Sequence, residues 1–427
     1  MSGHTFHFTC FLFCLICLTS TGFSQSPSEK RQSRYNFAEM YIGMDLLGMP
    51  SAGEAFYRPN TNTDVRTYPI GSRVHPRILI GGTHFWGHAD FFVTFPITTF
   101  RQSQELETWY NPGVETGALI YPWRLQQGAL RPYVGASWSI INYRQTVSGE
   151  RRGPDLHRSR VSLKGGFGWQ NKTGLWEMGI SWLPSRSFRY PLSRNHFETV
   201  TLPRWSFRLS YKYLFDTTDR YEGEASRGRI SSRIQKYRDA GKLNTFSVAV
   251  GYSGAYTLSP SSHNDQQHPY LDNPANAKPF PDISAGYYFY KPDASIRLSW
   301  RSIRQSQEAF GIEQNLFRRS FALDFLKFLG DYHGFVPFIG PFVSKEYLRT
   351  KELDQGRQLL NTSHNGWTAG IVFGWDIRPI RTPGLIFRTN LRYTPNLSLK
   401  TEDEQKIRFN QLEFNFIQLV VYPERLF

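Results

Sequence analysis

The amino-acid sequence predicts an all-β protein: a transmembrane antiparallel β-barrel of about sixteen strands, made of two eight-stranded repeats. Three observations lead there. Apolar and polar residues alternate with a period of two in segment after segment. The connections between those segments alternate between long and short. The two halves of the chain resemble one another in order and type. One continuous barrel is the first reading, and two tandem eight-stranded barrels are the alternative.

The alternation is plainest in RWSFRLSYKYLF, residues 204–215. Trp205, Phe207, Leu209, Tyr211, Tyr213 and Phe215 form one set. Ser206, Arg208, Ser210 and Lys212 form the other, with Leu214 the apolar intruder. Successive side chains of a strand point to opposite faces. The same pattern runs through VSLKGGFGW (161–169), WEMGISW (176–182), FSVAVGY (246–252), IRLSW (296–300) and LIFRTNLRY (385–393). In order, the predicted strands are 37–47, 77–85, 88–97, 114–122, 131–144, 160–170, 175–184 and 204–215, then 244–256, 282–290, 294–304, 317–329, 335–348, 366–377, 384–394 and 409–422.

Long polar connections are expected at 48–76, 98–113, 145–159 and 185–203, and again at 257–281, 305–316, 349–365 and 395–408. Short ones fall around Trp86 and Gly87, at 123–130, 171–174, 291–293, 330–334 and 378–383. Short turns at one end and long loops at the other are the habit of membrane barrels. LRPYVGASWS (130–139) matches FVPFIGPFVS (335–344) in place and type, and LKGGFGW (163–169) matches AGIVFGW (369–375), as a duplicated unit would. Between the halves, 217–243 is charged and helix-compatible, and by strand parity it should sit in the periplasm.

At the N-terminus, FTCFLFCLICL (8–18) is too short to span a bilayer as a helix, and TSTGFSQ follows it. This reads as a secretory signal peptide. The expected division is signal peptide 1–24, first eight-strand unit 25–216, joint 217–243 and second unit 244–427. Cys10, Cys14 and Cys17, the only cysteines, lie within that leader. The processed chain would then lack disulfides, thiolate metal sites and cysteine nucleophiles. Lipid can take the aromatic faces and a lumen the polar ones. In hydrocarbon only a closed barrel satisfies the backbone of every strand. The 23 Tyr and 11 Trp suit interfacial girdles.

The C-terminal LEFNFIQLVVYPERLF alternates through Leu412, Phe414, Phe416, Val420 and Tyr422 and ends on Phe427. It resembles the last strand of Gram-negative outer-membrane barrel proteins, and each half resembles their small eight-stranded members. The resemblance implies the cell outer membrane, contact with its lipid, and recognition of Phe427 by the barrel assembly machinery during biogenesis.

The polar faces carry Glu39, Asp45, Asp90, Glu115, Lys164, Glu177, Arg208 and Lys212 in the first half. Arg297, Arg301, Asp324, Asp376, Arg388, Arg392 and Glu413 follow in the second. Facing an open lumen, they would make a porin-like passage for small hydrophilic solutes, with mild anion preference. Arg208→Ser would then be far milder than Leu209→Arg. The alternative is a filled interior in which acids and bases pair. That would suit a structural or assembly component docking protein partners through its loops or 217–243. A lipid-modifying enzyme would need a serine beside a histidine. Ser262–His263, Ser363–His364 and His333 are the candidates, but no GxSxG elbow is present, so no catalysis is expected. Asn264, Asp265, Asp272, Asn273 and Asp282 lack the spacing of a calcium loop, so neither metal nor cofactor is expected. The net charge of +15 is scattered rather than gathered in a tract, which argues against nucleic acid.

Overall fold

In the computed structural model the described residues are 38–426, except 59–63, 103–105, 148–152, 172–173, 217–223, 272–276, 330–333 and 379–382. The expected signal peptide and Phe427 lie outside them, as does His333. The first unit holds β1 (Ala38–Met49), β2 (Arg73–His84), β3 (Ala89–Pro96), β4 (Glu115–Ile120), β5 (Leu130–Val147), β6 (Leu156–Gln170), β7 (Gly174–Trp182) and β8 (Trp205–Asp216). The second holds β9 (Thr245–Thr257), β10 (Ala277–Phe289), β11 (Ala294–Ala309), β12 (Ile312–Phe328), β13 (Gly334–Asp354), β14 (Arg357–Arg378), β15 (Leu385–Thr394) and β16 (Gln411–Val421). Each overlaps a strand predicted from the alternation.

The closure differs from the single barrel expected first. β8 does not pair with β9. It pairs with β1, Met44 opposite Tyr211 and Ile42 opposite Tyr213. β9 pairs with β16, Val250 opposite Leu419. The chain therefore forms two separate closed eight-stranded antiparallel barrels. The joint explains this. A tight turn would have made β8 and β9 hairpin neighbours. Instead the connection contains helix α1 (Glu224–Asp239), and β8 is left to take the free edge of β1.

Both barrels are inside-out relative to a soluble protein. On β8, Trp205, Phe207, Leu209, Tyr213 and Phe215 are exposed, while Arg208, Ser210 and Lys212 are buried. Leu214 joins them inside, beside Tyr41, Leu79 and Tyr133. The second barrel buries Phe328, Phe338 and Phe342 and exposes Phe321, Leu323 and Phe325. An eight-stranded barrel is only wide enough for side chains to fill it.

The two loop ends are built differently. In the first barrel the long connections fold into a small sheet of Gly53–Tyr57, Arg66–Ile70, Ser187–Pro191 and Phe197–Thr201. Tyr57, Tyr68, Leu106, Tyr143, Phe188 and Tyr190 pack beneath it as a hydrophobic cap. In the second barrel, 305–316 and 349–365 are not the loops expected. The strands run on through them and reverse at Phe310–Gly311 (φ 49° and 88°) and Gln355–Gly356 (φ 50° and 86°). Two successive positive φ angles make a type I′ hairpin, which suits the twist of the flanking strands. β13 and β14 thus reach 21 and 22 residues. A bilayer needs only about 9–11, so roughly half of this hairpin stands clear of any membrane the barrel spans.

The barrels pack side by side. Trp138 of β5 meets Tyr256 of β9 edge-on with centroids 4.1 Å apart. Phe91 of β3 stacks on Phe335 of β13 at 5.9 Å. At the loop end, Arg194 donates to Phe310 O at 2.8 Å and pairs with Asp354 at 3.3 Å. At the opposite end Tyr237 of α1 donates to Arg425 O at 2.9 Å, tying the joint to the C-terminal turn.

Candidate functional site

The barrel interiors come first, because the predicted site residues lie there. All fifteen charged residues named from the polar faces are buried. In the first barrel Arg208 bonds Asp45 at 3.2 Å and faces Glu177 at 3.6 Å. Lys212 donates to Asp90 and Glu177 together. Lys164 meets Glu115 at 2.6 Å. Arg77, which the sequence reading left out, bridges Asp45 and Glu115. Glu39 is buried at the strand end, 8% exposed.

The second barrel repeats the design with different residues. Arg297 and Arg392 both hold Asp324, at 3.0 and 2.8 Å. Arg388 and Arg378 both hold Asp376, at 2.6 and 3.0 Å. Arg301 holds Glu413 at 2.6 Å. Arg318, also missed, reaches Glu346 at 2.9 Å and Glu413 at 2.7 Å. Strand alternation places each of these groups, and the narrow bore forces them together. Arginine's planar fork suits such multiple carboxylate contacts. Paired in this way, the charges cross-link one wall to another. Instead of facing an open lumen, Arg208 shares Asp45 with Arg77 and Glu177 with Lys212.

Among the described residues, the serine–histidine candidates do not form a dyad. Ser363 and His364 are adjacent on β14, and neighbouring strand residues face opposite ways. Ser262 donates to Lys406 O at 3.3 Å instead of meeting His263. Of the calcium candidates, Asp272 and Asn273 lie outside the described residues, and Asp282 is buried in β10 with Ser253 and Asn415 donating to it. Asn264 instead exchanges amide hydrogen bonds with Gln314 of β12 at 3.1 and 2.9 Å.

Two outer surfaces remain. A cavity of about 940 Å³ lies between the barrels, with Arg304, Arg319 and Arg349 on one wall and Trp109 and His157 on the other. Above it rises β14. Its pairing with β15 covers only Ile371–Ile377. Among the described residues, the edge from Arg357 to Gly370 therefore pairs on one side alone, with β13. Leu359 and Trp367 on this segment are 51% and 71% exposed.

No protein-family model and no curated protein matches the chain. Solved structures give partial matches. Neisserial surface protein A is 15% identical, with a TM-score of 0.29, over 42% of this chain and 97% of its own. Ail, the attachment invasion locus protein of Yersinia pestis, is 13% identical with a TM-score of 0.27 over 42% and 97%. An outer-membrane channel from Pseudomonas putida F1 is 8% identical with a TM-score of 0.22 over 90% and 94%. The strand pairing by itself makes the chain a pair of closed eight-stranded antiparallel barrels.

Proposed function

We propose that this chain is an integral outer-membrane scaffold that docks an extended segment of a partner protein along the upper edge of β14. The apolar belt of both barrels supports the membrane placement. Ile42, Met44, Phe167, Met178 and Phe207 on the first, and Val250, Leu298, Phe321 and Ile371 on the second, all face outward. Water would not sustain so much exposed apolar surface, whereas lipid does. The porin-like reading is the weaker one, because the charges that would line a passage are bonded across each bore.

The observation that carries the docking reading is the edge Arg357–Gly370. A strand edge with free N–H and C=O groups is a template for another strand, and natural proteins guard such edges with lysine, proline or charge. After Arg357 the segment QLLNTSHNGWTAG carries none of these. It therefore favours strand addition, in which main-chain bonds give affinity and side chains such as Trp367 give selectivity.

Site-specific photocrosslinking in intact cells tests this. A photoreactive residue at Asn361 or Asn365 should give a discrete protein adduct. The same residue at outward-facing Val161 should not. The paired Leu359→Lys and Trp367→Lys substitutions should abolish the adduct while folding is kept. Adducts that are equal at all three positions, or missing from the edge, would refute docking there.

A further inference from the structure

The second barrel's loop end holds a cluster that neither the interior networks nor the β14 edge accounts for. His263 lies in the short helix α2 (Ser262–Gln267), and His268 follows its end. Both approach Glu352 on the projecting part of β13. His263 Nε2 is 2.9 Å from Glu352 Oε1, and His268 Nε2 is 3.4 Å from Oε2. One ligand atom from each of the three residues lies within 4.8 Å of the others. We infer that His263, His268 and Glu352 form a binding site for one divalent transition-metal ion, with zinc the best fit.

Three features point to a ligand rather than to ordinary packing. The first is the tautomer. Gln405 donates through its amide nitrogen to Gln266 at 2.9 Å, which turns Gln405 Oε1 toward His263 Nδ1 at 3.0 Å. Nδ1 then carries the proton, and Nε2 of the neutral ring directs a lone pair at a carboxylate oxygen. That contact repels unless a cation, either a proton or a metal, stands between the two. The second is the support around the cluster. His268 Nδ1 contacts Tyr270 Oη at 3.1 Å, and Gln314 Nε2 donates to Glu352 Oε1 at 2.6 Å. Metal-binding imidazoles are oriented by just such bonds on the other ring nitrogen. The third is spacing. Bonds of about 2.0–2.1 Å in a tetrahedron set neighbouring ligand atoms roughly 3.3 Å apart, and the three ligand atoms here lie within 4.8 Å of one another, near enough for small side-chain shifts to close on an ion.

Two imidazoles and a carboxylate form a donor set suited to zinc, and they leave a fourth position for water or a partner's side chain. Access is through His268, whose side chain remains 12% exposed. An ion here would tie the α2 loop to the β13 wall.

The full processed chain, folded in detergent micelles, stripped with chelator and titrated with zinc chloride in a calorimeter, tests the inference. One zinc per chain is expected. His263→Ala, His268→Ala and Glu352→Gln should each weaken binding by roughly tenfold or more. His364→Ala, an exposed histidine on β14, should leave it unchanged. Heat-modifiable migration shows which variants are folded. Should the ligand variants fail to fold, zinc-edge X-ray absorption of the unsubstituted protein decides, and it should show imidazole nitrogens with a carboxylate oxygen. Wild-type protein that binds no stoichiometric zinc, folded ligand variants that all bind as tightly as wild type, or a zinc shell without imidazole would overturn it.

Discussion

Arg318→Met should destabilise the second barrel by about 3–5 kcal/mol, because it leaves buried carboxylates without their cation. Arg318 is fully buried. Its guanidinium donates to both oxygens of Glu346, at 2.9 and 3.0 Å, to Glu413 at 2.7 Å and to Gln411 at 2.8 Å. Methionine fills similar volume and offers none of these donors. Glu346 would keep bonds from Ser320 at 2.8 Å and Ser344 at 2.6 Å, but both are neutral. Glu413 would keep Arg301. The uncompensated charge is therefore chiefly on Glu346. Adding Glu346→Gln should recover about 1–3 kcal/mol, the usual size of coupling between contacting groups. Urea unfolding in lipid vesicles, followed by tryptophan fluorescence and heat-modifiable migration, measures both. A loss below about 1 kcal/mol for Arg318→Met would mean that water reaches the site and screens the carboxylates. The interior would then be wet rather than sealed.

Leu209→Arg should cost about 2–4 kcal/mol if it lies near the bilayer midplane, since its side chain faces outward. Arg208→Ser should cost about 1–3 kcal/mol, less than Arg318→Met, because Asp45 keeps Arg77 and Glu177 keeps Lys212; the same urea titration compares them. Gly340→Val should block folding of the second barrel, because even a Cβ there would sit 1.5 Å from Phe325 O, and the folded band should vanish from a semi-native gel. Phe335→Ala should loosen the barrels from one another while leaving each closed, since Phe335 touches His84, Phe85, Phe91 and Trp375. Energy transfer between dyes on the two barrels should fall, with no change in either barrel's resistance to protease.

The strands and their faces were legible because the lipid–interior alternation is a local signal, repeated in every segment. Closure was not legible, because whether β8 takes β9 or β1 depends on which strand edges are free. The long joint at 217–243 was the clue, since a connection that breaks the turn pattern marks a break in pairing as well. Arg77 was missed because it stood at the margin of its predicted strand, although it shares the parity of buried Leu79. Arg318 has the parity of Asp324 and could have been read as inward by the same rule. Glu346 was obscured because β13 carries large apolar residues on both faces, with Phe338 and Phe342 inside and Ile339 and Val343 outside. The meeting of His263 with Glu352, 89 residues apart, has no local signature at all. It depends on β13 running on to Asp354, through residues where the sequence predicts a loop.

With acids and bases paired across each bore, neither barrel should conduct, and the protein should act through its outer surfaces. Reconstitution of the purified, heat-modifiable protein into planar bilayers tests it most directly. The ion pairs across each bore, from Lys212 with Asp90 and Glu177 to Arg392 with Asp324, predict a silent membrane at any modest voltage. Stable, stepwise single-channel currents that disappear with the folded band would contradict the claim and restore the passage reading.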